Sequence, residues 1–218
     1  MKPEKVLEEM RKALGDVRPT ALSEISEGMG GDDPFKVLIG TILSHRTRDE
    51  KTGEATERLF RRFRGAGDLA DADKEEVARL IRGVGFYNVK SGRVVEVARI
   101  VRDEYGGAVP DSMEELMKLP AVGRKTANCV LVYGFGKRAI PVDTHVHRIS
   151  NRLGIAHTKG PNETEAALRG YFPEGCWLEV NDLFVRFGKA VCKPIGPRCK
   201  SCPLGPDCEY FRKVVKKN

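Results

Sequence analysis

The sequence predicts an all-α protein, and three observations carry that expectation. Apolar residues recur at three- and four-residue spacing along most of the chain, no alternating run is long enough to defend a strand, and the periodic segments are punctuated by capping residues and by Gly or Pro stops.

Val6, Leu7, Met10, Ala13 and Leu14 form one apolar face that ends at Gly15. Asp33-Pro34 opens a second helix, with Pro in its first turn, and Phe35, Val37, Leu38, Ile39, Ile42 and Leu43 make it apolar almost all round. A helix of that kind belongs inside a bundle. A third carries Ala55, Leu59, Phe60 and Phe63; a fourth carries Val77, Leu80 and Ile81 and stops at Gly83-Val84-Gly85. The fifth carries Val94, Val97, Ala98 and Val101 and stops at Gly106-Gly107. Ser112 with Glu115 forms a capping box for a short helix that Pro120 ends. Another helix begins around Arg124 and ends near Gly134. Asp143-Thr144 caps the next, with Val146, Ile149 and Leu153 inward and Gly154 as its stop. Asn162 with Glu165 is expected to cap a further helix, and Trp177 to Phe187 forms the last long one. A seam is expected near Gly136.

Length and composition bound the function. The 218 residues are 40% hydrophobic and 32% charged, which excludes a disordered or low-complexity chain. No apolar run reaches the ~18 residues that span a bilayer, and the polar start Met1-Lys2-Pro3-Glu4 is not a signal peptide, so a cytoplasmic protein without a membrane partner is expected. Lys plus Arg total 38 against 31 Asp plus Glu, for a net charge of +7. That excess makes a polyanion a natural partner, because each neutralised phosphate releases counterions. The absence of Gln fits a thermophile.

Three constellations carry candidate chemistry. Cys192, Cys199, Cys202 and Cys208 crowd into Cys-x6-Cys-x2-Cys-x5-Cys near the C-terminus, whereas Cys129 and Cys176 read as ordinary core residues. Both tetrahedral zinc and a [4Fe–4S] cluster accept all-thiolate ligation, and only one of these pairs has zinc-knuckle spacing. Leu119-Pro120-Ala121-Val122-Gly123-Arg124-Lys125-Thr126 reads as helix, tight turn and new helix, with N–H groups placed to hold one DNA phosphate. Gly123 is expected to allow a positive φ and close backbone approach. Lys125 stands in the first helical turn, where the dipole favours a neutral amine able to attack an electrophilic carbon. In Pro141-Val142-Asp143-Thr144-His145-Val146, Asp143 is a helix-capping carboxylate 18 positions after Lys125. His145 and His147 do not read as a metal pair, since residues two apart face different sides of a helix.

The hairpin with its Lys, the downstream Val142-Asp143-Thr144-His145-Val146 and the spaced cysteines, in this order, resemble endonuclease III, a family of bifunctional DNA glycosylase/AP lyases of the helix–hairpin–helix superfamily. The resemblance runs from about Leu22 to Cys208. It implies a six-helix barrel domain over 27–136, a second helical domain from 1–26 and 137–218 carrying a [4Fe–4S] cluster on the four cysteines, and a DNA groove between them. By position, Lys125 matches the nucleophile and Asp143 the essential carboxylate. Ser44, Arg46, Phe86, Val122, Gly123, Arg124, Thr126, His145 and Lys193 fall at candidate DNA contacts, with Arg46 entering the gap left by a flipped nucleotide and Phe86 wedging into the stack. Arg198 and Lys200 are further candidate phosphate contacts. Arg46 replaces the Gln common in the family, and Ala121 replaces its usual Gly, so a phosphate site with weaker backbone approach is expected.

The reaction so implied is base-excision repair on double-stranded DNA containing damaged bases or abasic sites. A monomer would remove oxidised or damaged pyrimidines through a Lys125 Schiff base and then nick the strand by β-elimination. A T·G mismatch glycosylase on the same scaffold and a non-catalytic, metal-containing DNA-binding module are the competing readings.

Overall fold

The computed structural model describes residues 1–28 and 33–215, and every regular element among them is helical. In chain order the α-helices are α1 (Pro3–Leu14), α2 (Ala21–Gly28), α3 (Pro34–Ser44), α4 (Asp49–Arg62), α5 (Ala66–Ala70), α6 (Lys74–Leu80), α7 (Tyr87–Glu104), α8 (Met113–Leu116), α9 (Arg124–Cys129), α10 (Thr144–Leu153), α11 (Pro161–Tyr171) and α12 (Trp177–Ala190). The second helix of the hairpin runs on past α9 as a π-helical turn, Val130–Gly134. No helix among the described residues is long and apolar enough to cross a membrane. The chain divides into two compact units, residues 21–137 and residues 1–20 with 138–218.

In the unit formed by 21–137, α3 is the central helix. Asp33 accepts hydrogen bonds from the N–H groups of Phe35 and Lys36, both at 3.1 Å, and every residue from Phe35 to Leu43 except Lys36 is buried. That pattern is the signature of a helix enclosed by others. Phe35 meets Phe60 of α4 edge-on, with ring centroids 5.9 Å apart. Gly40 lets α2 come close: a Cβ there would stand 2.9 Å from Ile25 Cδ1. The long α7 lies along α5 and α6 and buries Val94, Val97, Ala98 and Val101. It ends at Tyr105, and left-handed Gly106 and Gly107 return the Gly107 N–H to the Val101 carbonyl at 2.9 Å.

The unit formed by both ends of the chain has its own core, in which Val6, Leu7 and Met10 of α1 meet Ile149 of α10 and Phe184 and Phe187 of α12. α12 packs on α1 and α10, and α10 also meets α11. Asn181 on α12 donates to the buried Pro141 carbonyl at 2.8 Å, which anchors the strand of chain leading into α10. Cys129 is fully buried in the other unit, while Cys176 packs half-buried against this core.

Two further helices, Ala21–Gly28 and Ala66–Ala70, are ones that the sequence pattern does not single out. One expectation needs correction. Gly160, not Asn162, is the N-cap of α11. Pro161 takes the first helical position and Asn162 lies inside the first turn, while the Glu163 carboxylate accepts the Lys159 N–H at 2.9 Å.

Candidate active site

Ser112 caps α8 by accepting the Glu115 N–H at 3.3 Å, but the Glu115 carboxylate, which a full capping box would return to the Ser112 N–H, is held by the Tyr105 hydroxyl and the Lys118 ammonium. Pro120 ends this arm, the Val122 N–H turns back to the Leu119 carbonyl at 3.2 Å, and α9 begins after Gly123. The left-handed residue of the turn is Ala121, at φ 61°, and not Gly123, which is extended at φ −96°, ψ 179°. A Cβ on Gly123 would meet nothing within 4 Å, so the surface at the helix start lies open. Val122 is buried, Arg124 and Lys125 are half-buried on the first turn, and Thr126 points inward.

The segment after α3 comes up against this hairpin. His45 Nε2 and Thr126 Oγ1 are hydrogen-bonded at 3.1 Å. Burial, followed by the positive charges of Lys125 and Lys90, holds the His45 ring down at about 4, so it is neutral at physiological pH. Arg46, the next residue, is exposed and left-handed at φ 52°. Ser44 turns its hydroxyl back to the Thr41 carbonyl at 2.7 Å.

The loop before α7 meets the same segment. Gly85 donates its N–H to Thr47 Oγ1 at 3.1 Å, and a Cβ on Gly85 would lie 2.5 Å from the Arg46 carbonyl oxygen. Only glycine fits there. Phe86 follows in a left-handed conformation at φ 59° with 62% of its surface exposed, and the Arg46 guanidinium carbon lies 5.7 Å from its ring centroid. The hairpin start, residues 44–47 and residues 85–86 therefore form one contiguous surface within the unit. Its three non-glycine left-handed residues are Arg46, Phe86 and Ala121, and backbone strain of this kind gathers at functional sites. Lys90, which sequence reasoning did not single out, sits beneath the two loops with its ammonium on the carbonyls of Leu43 and His45. Nothing in its local sequence distinguishes it from the other cations.

In the other unit, Asp143 is the N-cap of α10, and its Oδ1 accepts the N–H groups of His145 and Val146, both at 2.8 Å. The carboxylate is thereby held in one orientation by its own helix. His145 turns its Nδ1 toward Arg148 at 3.2 Å and packs where a Cβ on Gly188 would stand 2.4 Å from that nitrogen. His147 faces elsewhere, with Nδ1 on Thr164 Oγ1 at 2.7 Å.

Cys192, Cys199, Cys202 and Cys208 line one small cavity of about 20 Å³, partly open to solvent and walled by Ile149, Arg152 and Phe211. Among the described residues no group of three His, Cys, Asp or Glu side chains stands close enough to chelate a single ion. Burial pushes the Cys202 thiol up to about 11, and Cys199 and Cys208 are also raised, first by burial and then by neighbouring thiolates. Cations offset part of this cost. Arg152 directs one guanidinium nitrogen at Cys192 Sγ, 3.5 Å away, and at the Lys193 carbonyl, 2.7 Å away, while Arg148 holds the Cys192 carbonyl at 2.8 Å. Lys193 is half-buried, and Arg198 and Lys200 on the same loop are exposed.

Comparison with known proteins gives one consistent answer. Residues 39–174 match the model of the HhH-GPD superfamily base excision DNA repair proteins. The endonuclease III of Thermotoga maritima is 53% identical over 84% of this chain and 86% of that protein. Among solved structures, a trapped endonuclease III–DNA covalent intermediate aligns with a TM-score of 0.85 at 34% identity, covering 99% of each chain. A thermostable thymine-DNA glycosylase aligns with a TM-score of 0.82 at 25% identity, covering 97% of each. The chain belongs to the endonuclease III family of DNA glycosylase/lyases, within the HhH-GPD superfamily of base excision DNA repair proteins.

Proposed function

We propose that the protein removes oxidised or otherwise damaged pyrimidines from duplex DNA and then nicks the strand at the abasic site, with Lys125 as nucleophile. The observation that carries this reading is the single surface on which Lys125 lies near neutral His45, and beside which Arg46 and Phe86 stand exposed in strained conformations. A base inside a duplex is out of reach of any side chain, so the nucleotide must be extruded, at a cost of a few kcal/mol. An exposed aromatic wedge and a cation able to fill the vacated space offset part of that cost.

The Lys125 amine attacks C1′ of the extruded sugar, the C1′–N glycosidic bond breaks, and the base leaves with the proton that the amine gives up. Opening of the sugar ring gives a protonated Schiff base between Lys125 and C1′. This imine acidifies C2′–H; loss of that proton breaks the C3′–O bond and releases the 3′ phosphate, nicking the strand. Asp143 stabilises the positive charge that develops on the sugar and assists in removing the proton from Lys125. Its cap bonds suit that task by restricting the carboxylate before substrate arrives. The N–H groups of the α9 first turn and the open surface at Gly123 take one phosphate, with Arg124 adding charge.

The four cysteines are assigned to a [4Fe–4S] cluster. The donor set fits: four thiols face one cavity, and guanidinium donors reach the first ligand. The group supplies iron–thiolate crosslinks in a loop that has little core of its own. Lys193, Arg198 and Lys200 on that loop supply phosphate contacts. A purified protein with broad visible absorption supports this assignment; a colourless, zinc-loaded protein overturns it.

The test of function is strand incision of three duplexes carrying thymine glycol, an abasic site or a T·G pair. Incision of the first two is expected. The T·G reading draws on the alignment with a thymine-DNA glycosylase and on Arg46 standing where the family commonly has Gln, and preferential incision of that duplex would replace the proposal with it. Binding without incision of any duplex would leave a non-catalytic module.

A further inference from the structure

We infer that Lys90 is a positioning residue: its ammonium, together with the Thr47 hydroxyl, clamps the loops bearing Arg46 and Phe86 into one preset unit for entering a duplex. The inference rests on the proposed action on duplex DNA.

Lys90 lies in the first turn of α7 and is only 8% exposed. Its Nζ donates to the Leu43 carbonyl at 2.7 Å, to the His45 carbonyl at 2.5 Å and to Thr47 Oγ1 at 3.3 Å. All three ammonium hydrogens are therefore used, and all three acceptors lie at or just beyond the C-terminus of α3. Two of them are carbonyls at the end of α3, where backbone acceptors lack intrahelical partners and where the helix dipole favours a cation. None of the three is a carboxylate. A buried ammonium held only by neutral oxygens is an expensive way to stabilise a fold, and burial pushes Lys90 down to about 8. The arrangement is better explained by what it holds in place.

Thr47 extends the clamp to the second loop. Its Oγ1 accepts the Gly85 N–H at 3.1 Å, and Gly85 in turn packs against the Arg46 carbonyl. Arg46 and Phe86 flank these contacts, and both keep left-handed backbones. Such conformations persist only where surrounding bonds over-determine them. Presetting the pair reduces the ordering cost at the moment of insertion.

The test uses the cofactor-loaded protein with Lys90→Met and Thr47→Val. Single-turnover base removal from a thymine glycol duplex is compared with strand cleavage of a preformed abasic duplex, in which no base has to be unstacked. Fluorescence of a 2-aminopurine beside the lesion reports extrusion. For Lys90→Met the ratio of base removal to abasic cleavage should fall about tenfold relative to wild type, with a matching loss of the fluorescence change. Thr47→Val should shift the ratio in the same direction by about threefold, and it carries the test if the Met variant does not fold. Equal losses on both duplexes, or no loss, would overturn the role of Lys90. Wild-type protein that cleaves neither duplex would instead overturn the enzyme reading itself.

Discussion

Replacing Ala121 with Gly should stabilise the protein, and the expected size follows from the geometry of the hairpin turn. Ala121 has φ 61°, where an L-residue carries about 1–2 kcal/mol of strain between its Cβ and the following carbonyl. The residue is exposed, so removing its methyl group sacrifices little packing. The extra freedom of glycine in the unfolded chain takes back about 0.5 kcal/mol. The net gain is about 1 kcal/mol, or roughly 3 °C in the melting midpoint for a domain of this size. Thermal unfolding followed by circular dichroism measures it. Gly83→Ala is the opposing control: at φ 103° an alanine is strained, and the midpoint should fall. Glycine at 121 should also tighten duplex binding modestly without changing the slope of log K against log salt, because no charge is altered. An unchanged or lower midpoint for Ala121→Gly would refute the claim that this turn stores strain.

Other substitutions probe separate parts of the account. His45 is depressed to about 4 in the folded protein against about 6.5 unfolded, so the unfolded chain binds the extra proton between those values. Its contribution is complete above pH 6.5 and is lost as pH falls toward 4, amounting to about 2 kcal/mol once the partial exposure of the ring is discounted. Denaturant melts at pH 7 and pH 5 should show about half of that loss, roughly 1 kcal/mol, and His45→Gln should flatten it; an equally steep variant would place the pH dependence elsewhere. Gly85→Ala drives a Cβ into the Arg46 carbonyl and should reduce lesion incision on the order of a hundredfold, while wild-type incision would show that the two loops need no close approach. Asp143→Asn retains a good cap, so the melting midpoint should barely move, yet turnover should fall on the order of a hundredfold. Near-normal turnover would reduce Asp143 to a cap.

What the sequence made legible was local. The all-round apolar pattern of α3, the Ser112 and Asp143 caps and the glycine stop of α7 can be read from residue order, because each depends on neighbours within about four positions. Failures came where no such pattern exists. α5 is a five-residue helix, shorter than two turns, and α11 starts at Pro161 rather than at a polar cap. Gly123 attracted the left-handed reading because glycine tolerates it, but the chain places that conformation two residues earlier, on Ala121. Lys90 was invisible for a different reason. It is one of 38 cationic residues, and only the approach of the start of α7 to the end of α3 converts it from a solvated charge into a buried clamp. The lowered His45 likewise depends first on burial and then on Lys125 and Lys90, which lie 80 and 45 positions away along the chain.

The most direct measurement is borohydride trapping on a duplex with a single lesion. Wild-type protein should be reduced onto the DNA as a covalent adduct, and peptide mapping should place the modified residue at Lys125. Lys125→Ala should bind the same duplex with little change and yield no adduct. An adduct of undiminished yield from the Ala variant, or one mapped to another lysine, would contradict the assignment of the nucleophile.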